Sequence, residues 1–165
     1  MKVDLKRFFS GEDVELTIEY ALDLSGFELN GMYPFLKPVN IKGKLSSRAN
    51  LVTLEATACV FVHCPCDRCA EEIDIKYDAV VLRRLASELN RDDNDELLLV
   101  DNMLLDVDEQ VIDAVLLNYP AKLLCSGSCK GICQVCGCNL NKGQCDCGQK
   151  QIDPRLEALK KLIKF

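Results

Sequence analysis

The sequence predicts an α+β fold, in which an antiparallel, curved β-sheet or barrel-like region is followed by a cysteine-rich knuckle and C-terminal helices. Two observations favour the sheet: apolar residues alternate with other residues around positions 57 and 77, and shorter strand-like stretches precede them. A third observation is the concentration of cysteines after residue 124. We therefore predict a strand-rich domain with one helix over residues 1–120, and a knuckle extension with a final helix over residues 121–165, packed on the first part.

Two period-two patterns predict the central strands. Apolar residues occupy every second position from Val52 to Val62, and the pattern returns from Ile73 to Val81. Such alternation is typical of strands that bury one face. Because Cys64–Cys69 lies between the two patterns, we expect it to form the turn of an antiparallel hairpin. The earlier strand-like stretches, and the turn-forming residues that connect them, are Val14–Ile18, Val39–Leu45, Gly26, Gly31, Pro34 and Pro38.

Capping residues predict the helices. Asp106 can accept a hydrogen bond from the amides of a helix that extends to about Asn118, and Glu109 completes a capping-box spacing. Asp153-Pro154 marks the start of the final helix in the same way. Leu97–Val100 is expected to be a short strand. The residues expected to face the core from the two helices are Val107, Val111, Ala114, Val115, Leu156, Leu159 and Ile163.

Charge and composition exclude several functional classes. No apolar run approaches the roughly 20 residues of a membrane span, and no export signal is recognisable, so we expect a cytoplasmic bacterial protein without membrane contact. The formal net charge of -6 opposes broad binding to phosphate backbones and favours a basic partner. Nine acidic residues and one basic residue lie between Glu88 and Glu109, where Arg91–Glu96 is predicted to be a solvated loop. The opposite bias occurs from Lys37 to Arg48, with four basic residues and no acidic one.

Four cysteines after residue 130 form an array that is typical of structural zinc. Cys133 and Cys136 make a CxxC pair, Cys145 and Cys147 make a CxC pair, and eight residues separate the two pairs. Each pair can place two thiolates on one ion at about 2.3 Å, and two pairs complete a tetrahedral shell. The spacing therefore predicts a zinc knuckle with these four residues as ligands.

Two further cysteine pairs could form a second zinc site. Cys66 and Cys69 lie in the predicted hairpin turn, and Cys125 and Cys129 lie just before the knuckle. Four thiolates saturate the ion and leave no position for a substrate water, so either site would be structural rather than hydrolytic. The alternative at Cys66 and Cys69 is a reduced dithiol or a reversible disulfide. The cysteines that fit neither quartet are Cys59, Cys64 and Cys138.

No pattern in the sequence indicates an enzyme or a small-molecule substrate. His63 is the only histidine, and neither a nucleophile elbow nor a phosphate-binding glycine loop occurs. His63 could replace a cysteine as a metal ligand, although a partly exposed structural histidine is the commoner case. We therefore predict no catalytic residue and no cofactor other than zinc.

Several motifs between residues 66 and 156 occur together in one protein family. They are Cys66-Asp67-Arg68-Cys69, Cys129-Lys130-Gly131-Ile132-Cys133-Gln134-Val135-Cys136-Gly137, Asn139-Leu140-Asn141, Cys145-Asp146-Cys147 and Ile152-Asp153-Pro154-Arg155-Leu156. With these motifs the chain resembles the YceD-like family of large ribosomal RNA subunit accumulation proteins. Gln134 stands where family members typically have proline, and Cys138 stands where they usually lack a cysteine. Neither departure disturbs the ligand spacing.

The resemblance implies a role in the accumulation of the large-subunit (23S) ribosomal RNA, without implying a biochemical step. Some family members lack the downstream knuckle but keep the CxRC pair. This implies that Cys66 and Cys69 have partners outside the knuckle quartet, and it favours two separate sites.

Three functions stay open at this point. The first is a non-catalytic ribosome-biogenesis factor whose acidic surface binds a ribosomal protein or a large-subunit precursor, an encounter that complementary charge would accelerate. The second is direct binding of ribosomal RNA, with phosphate contacts from Lys37, Lys42, Lys44 and Arg48. The third is a redox-sensitive zinc switch, in which oxidation of the thiolates releases the metal.

Overall fold

The computed structural model describes residues 1–10, 14–48, 51–87 and 97–147. The chain divides into two units. The first holds Met1–Cys64 and Glu72–Leu123, and the second holds Pro65–Glu71 and the chain from Leu124 onward. The predicted hairpin turn, which the sequence places in the strand-rich domain, is thus grouped with the cysteine-rich segment. None of the helices within the described ranges has the length and apolar character needed to span a bilayer.

A five-stranded sheet forms most of the first unit and curls into a half-barrel. Its strands, in their order across the sheet, are β2 (Glu15–Leu22), β3 (Val39–Arg48), β4 (Leu51–Pro65), β5 (Glu72–Ala86) and β6 (Leu97–Leu99). A second, two-stranded antiparallel sheet pairs β1 (Lys2–Asp4) with β7 (Leu104–Asp106), and a one-turn 3-10 helix spans Asp101–Met103. The strands predicted from the alternating patterns therefore occur where the sequence places them.

The alternation of apolar residues places one face of the long strands in the core. In β5, Ala79 and Val81 are buried, whereas Ile73, Ile75 and Tyr77 are partly buried and pack against the core. Every apolar residue of the β4 pattern is buried, and these residues are Val52, Leu54, Ala56, Ala58, Val60 and Val62. Because successive side chains of a strand point to opposite faces, a strict period of two is sufficient to bury the whole set on one side.

One helix, α1 (Val107–Leu117), packs against β5. Asp106 caps its N-terminus as predicted, since its carboxylate accepts a hydrogen bond from the Asp108 N–H at 3.1 Å. The Tyr77 hydroxyl of β5 donates to the Val115 carbonyl at 3.0 Å. The predicted core-facing residues of the helix are all buried, and they are Val107, Val111, Ala114 and Val115. Packing of this apolar face supplies most of the stability of so short a helix.

Three parts of the predicted architecture differ from the structure or lie outside it. The sheet is not wholly antiparallel, because β6 pairs with β5 in parallel. The ten residues between Ala86 and Leu97 make this possible, since only antiparallel neighbours can be joined by a two-residue turn. The fold is mostly sheet, with a single α-helix among the described residues instead of several C-terminal helices. The predicted helix after Asp153 and the acidic loop Arg91–Glu96 lie outside the described residues.

Candidate metal centres

Two groups of four cysteines lie in the second unit, and within each group all sulfur atoms are within 4.8 Å of one another. The first cluster consists of Cys66, Cys69, Cys125 and Cys129, and the second cluster consists of Cys133, Cys136, Cys145 and Cys147. The structure thus brings together the same two quartets that the cysteine spacing suggests. Each cluster could hold one metal ion.

The turn after β4 presents one pair of the first cluster. Its backbone closes through hydrogen bonds from the Cys66 N–H to the Glu71 carbonyl at 2.8 Å and from the Ala70 N–H to the Cys66 carbonyl at 2.9 Å. Ala70 has a φ of 56°, in the left-handed region that tight reversals use. The reversal brings the Cys66 and Cys69 side chains to the same cluster.

The sulfur positions of the first cluster fit a tetrahedral metal ion. The Cys66 and Cys129 sulfurs are 3.9 Å apart, and the Cys69 and Cys125 sulfurs are 3.6 Å apart. Four sulfurs bound to one zinc ion at ~2.3 Å are separated from each other by roughly 3.8 Å. These two distances match that spacing, and the remaining sulfur–sulfur distances do not exceed 4.8 Å, so the cluster could hold one ion.

Hydrogen-bond donors surround the sulfurs of the first cluster. The Cys125 N–H donates to Cys66 Sγ at 3.3 Å, and the Asn141 amide nitrogen donates to Cys129 Sγ at 3.2 Å. Burial opposes ionisation of Cys66, but backbone N–H groups, those of Arg68 and Cys125 among them, outweigh it and lower the pKa of its thiol to about 6. The bond from Asn141 is the main cause of a lowered pKa at Cys129. Since metals bind the thiolate, these donors favour the form of cysteine that ligates.

A tight turn builds the second cluster. The Gly137 N–H donates to the Cys133 carbonyl at 2.9 Å, and the Cys133 N–H donates to the Cys138 carbonyl at 2.8 Å. Gly137 has a φ of 73°, which glycine adopts without a steric penalty. The Val135 N–H donates to Cys133 Sγ at 3.4 Å. This turn brings the Cys133 and Cys136 thiols together, as a CxxC pair of metal ligands requires.

The thiols of the second cluster differ in acidity. The Cys138 N–H, with neighbouring thiols, lowers the pKa of Cys136 to about 6. A hydrogen bond to Cys136 and burial together raise the pKa of Cys147 to about 12. One thiol thus ionises readily while its neighbour keeps its proton. A metal ion bound by all four sulfurs would displace the remaining protons.

Hydrogen bonds join the turn at Pro65–Glu71 to the later cysteine-rich segment. The Ile132 N–H donates to the Arg68 carbonyl at 3.1 Å, and the Arg68 guanidinium donates to the Cys129 carbonyl at 2.9 Å. Gly131 has a φ of 78°, and a Cβ at this position would lie 3.0 Å from the Arg68 carbonyl oxygen. The two segments therefore approach too closely at this point for a larger residue without a shift of the backbone.

The described part of the second unit has no apolar core. Its buried residues are Cys66, Cys69, Cys129 and Gly131. Ile132 and Val135, which could have contributed to a core, are exposed. Burial of apolar side chains among the described residues therefore does not hold these loops together, and small modules of this kind commonly depend on metal ions or disulfides. The buried cysteines of this unit all belong to the first cluster.

The remaining candidate residues lie outside the clusters. His63 in β4 faces Asp74 at 3.0 Å and Glu72 at 3.5 Å, and it joins neither of the metal-ligand groups found in the described ranges. Cys59 and Cys64 are also in β4, while Cys138 lies beside the second cluster. Sequence reasoning missed Asn141 as a donor to Cys129, because ligand spacing indicates the sulfurs and not the groups that orient them.

The four basic residues considered for RNA binding all have partners in the structure. Their contacts are Lys42 with Glu19 at 2.7 Å, Lys44 with Glu55 at 3.4 Å, Arg48 with Glu15 at 3.8 Å, and Lys37 with the Phe61 ring at 5.2 Å from the ring centre. Three of the four charges are thus opposed by carboxylates on a neighbouring strand. Because phosphate affinity comes from unneutralised cations, this arrangement weakens the hypothesis of direct RNA binding.

Comparisons with known proteins found a relative and a matching family. A protein of Arabidopsis thaliana named "Large ribosomal RNA subunit accumulation protein YCED homolog 1, chloroplastic" is 41% identical over 49 residues. The aligned part is 30% of this chain and 15% of that relative. No solved structure matches the chain. The model of the family described as "Large ribosomal RNA subunit accumulation protein YceD" matches residues 54–163, a stretch that contains both cysteine clusters. Since this match covers two thirds of the chain, the protein belongs to the YceD family.

Proposed function

We propose that this protein is a non-catalytic ribosome-biogenesis factor that supports accumulation of the large-subunit ribosomal RNA, and that two structural zinc ions hold its second unit together. The observation that carries the proposal is that the family match includes both four-cysteine clusters. We further propose that the protein acts by binding a ribosomal protein or an assembly intermediate. Its cytoplasmic location and bacterial origin stay predictions.

Zinc is the metal that the donor set favours. Four thiolates in tetrahedral reach are typical of structural zinc sites, and such sites contribute folding free energy directly. Each bound zinc ion would be saturated by the four cysteines of its cluster, so no open position would be left for a substrate or water. The role of the metal would then be to fix the loops around Arg68 and Asn141 that the hydrogen bonds already join.

The charge of the protein supports a basic partner. The net charge is -6, and acidic residues concentrate between Glu88 and Glu109. Within the described part of this stretch, Asp101 and Glu109 are exposed. Ribosomal proteins that bind RNA carry the opposite charge, and complementary potentials accelerate association. The alternative of direct RNA contact is less favoured, because carboxylates oppose Lys42, Lys44 and Arg48.

The proposed function is tested in cells depleted of this protein and complemented with the wild type or with Cys133→Ser. We expect depletion to lower the large-subunit RNA and the large-subunit peak of a sucrose gradient. Wild type should restore both, and Cys133→Ser should not. A normal gradient with unchanged RNA after depletion would exclude the role in large-subunit accumulation.

The zinc content is tested by replacing one cysteine of the first cluster. The reduced wild type should bind two zinc ions per chain, and Cys66→Ser should bind one, because three sulfurs no longer complete the shell of the first ion. The measurement is native mass spectrometry with an independent determination of total zinc. Cys59→Ser is the matched control and should keep two ions, since Cys59 belongs to neither cluster. A single ion in the wild type would contradict the two-site arrangement.

A further inference from the structure

A fifth thiol stands beside the second cluster. Cys138 lies two residues after Cys136 in the same tight turn, where its carbonyl accepts a hydrogen bond from the Cys133 N–H at 2.8 Å. Its own N–H donates to the Cys136 sulfur. Its thiol is partly buried and interacts with the Cys136 and Cys145 thiols, although its sulfur is not one of the four that all lie within 4.8 Å of one another. The backbone thus holds Cys138 in contact with two members of the cluster.

A tetrahedral ion accepts four sulfur ligands, and Cys138 adds a fifth sulfur beside the four of this cluster. The four members differ in exposure: Cys136 is exposed, while the other three are partly buried. Cys136 is therefore the ligand that solvent and competing reagents reach most easily. A thiol that already contacts it, and that has the same charge and softness when ionised, can take its place without a change in ligand number or type.

We propose that Cys138 is a reserve ligand of the second cluster, which binds the ion in place of Cys136 or Cys145 when either of these leaves it. This inference rests on the proposal that the second cluster binds zinc. The two clusters would then differ in their tolerance of ligand loss, since the second could lose one ligand and still retain its metal.

The competing explanation is that Cys138 acts only through its backbone. In that case the N–H bond to the Cys136 sulfur and the carbonyl bond from Cys133 shape the turn, and the side chain has no part in metal binding. The two explanations predict the same result for Cys138→Ala alone, which keeps both backbone groups. They differ once Cys136 is absent.

The test compares three variants of the full chain, each reduced and loaded with zinc: Cys136→Ala, Cys138→Ala and the double variant. We expect two zinc ions per chain in both single variants and one in the double variant, by native mass spectrometry. After replacement of zinc by cobalt(II), the sulfur-to-cobalt charge-transfer absorption of Cys136→Ala should equal that of the wild type, because the number of bound thiolates is unchanged. Cys145→Ala, alone and with Cys138→Ala, repeats the comparison at the other contacting thiol and serves if Cys136→Ala does not fold.

Each outcome is decisive. One ion in both Cys136→Ala and Cys145→Ala, with two ions in the wild type, would overturn the reserve ligand and leave the two zinc sites standing. Two ions in both double variants would also overturn it, since another group would then be filling the position. A wild type without zinc in the second cluster would overturn the proposed zinc site and this inference with it.

Discussion

Gly43 is a residue whose size the structure restricts severely. It lies in β3 opposite Ala56 of β4. A Cβ on Gly43 would lie 2.3 Å from the Glu55 carbonyl oxygen and 2.5 Å from the Ala56 Cα. These are backbone atoms, which cannot rotate away as the end of a flexible side chain can. The close approach of β3 and β4 at this point therefore requires glycine.

We predict that Gly43→Ala destabilises the first unit by about 1–3 kcal/mol, the cost typical of overpacking. The measurement is the free energy of unfolding from chemical denaturation of the wild type and the variant. Gly26→Ala is the control, because a Cβ at Gly26 would meet no atom within 4 Å. Its effect should stay within about 0.5 kcal/mol, as for surface substitutions elsewhere. Equal stability of the two variants would show that the strands separate at little cost.

At the candidate metal centres, some residues could be predicted from the sequence and others could not. The eight clustered cysteines could be predicted, because thiol pairs at two- to four-residue spacing restrict which sulfurs can share an ion. The contact of Asn141 with Cys129, and of Cys138 with Cys145, could not. Both contacts depend on how separate loops fold over one another, and no local periodicity encodes that.

Among the elements, the turn between β4 and β5 does more than join two strands, because it also contacts the later cysteine-rich segment. Besides presenting Cys66 and Cys69, it carries Glu71, which forms an ion pair with Lys142 of the later segment. The hydrogen bond from the Lys142 ammonium group is the main cause of a lowered pKa at Glu71. The Lys142 side chain is 74% exposed and the Glu71 side chain 36% exposed, so salt screens the pair and it contributes little at high salt.

The lowered pKa of Glu71 determines the sign of a pH effect. A carboxyl group whose pKa is lower in the folded protein stabilises the fold above its unfolded pKa of about 4.3, and this contribution is lost as the pH falls through the folded value. We therefore expect Glu71→Gln to lower the midpoint of thermal unfolding slightly at pH 7, with the difference from the wild type shrinking below about pH 4.

Lys142→Gln should have the same effect as Glu71→Gln, and the double variant should add little, because both single changes remove the same pair. A difference that is as large well below pH 4 as at pH 7 would mean that Glu71 acts through packing and not through its charge.

The long strands and α1 were predictable because their signals are local. A period of two and a capping aspartate act within a few residues, and the structure confirms both at β4 and at Asp106. The pairing of β6 with β5 in parallel and that of β1 with β7 were not predictable in the same way. Each pairing joins strands that are far apart in the sequence or separated by a long connection. Each also involves a three-residue strand, and such short strands carry almost no pattern.

In the molecule as a whole, the two units differ in what stabilises them. The first has an apolar core that includes Phe35, Ile41 and Leu54. The described residues of the second bury three cysteines and a glycine. Burial of apolar surface at roughly 25 cal/mol per Å² can stabilise the first unit by itself, but offers almost nothing to the described residues of the second.

We therefore predict that removal of metal by a strong chelator unfolds the second unit selectively. Amide hydrogen exchange should show lost protection over residues 124–147, with protection retained in β3 and β4, whose core needs no metal. Added zinc should restore the protection, and added magnesium should not, because magnesium prefers oxygen ligands. Unchanged exchange over residues 124–147 in the metal-free protein would contradict a metal-dependent fold.

Local patterns in the chain were sufficient to predict the long strands, the capped helix, the knuckle quartet, the four further cysteines that could form a second site, and the resemblance to one family. These features depend on residue spacing, which can be read directly from the sequence. The close approach at Gly43, the donors around the sulfurs and the fifth thiol at Cys138 emerged only when the chain was folded. The physical reason is that each is a contact between segments whose relative placement is set by packing and hydrogen bonding over the whole unit, and not by the periodicity of any one of them.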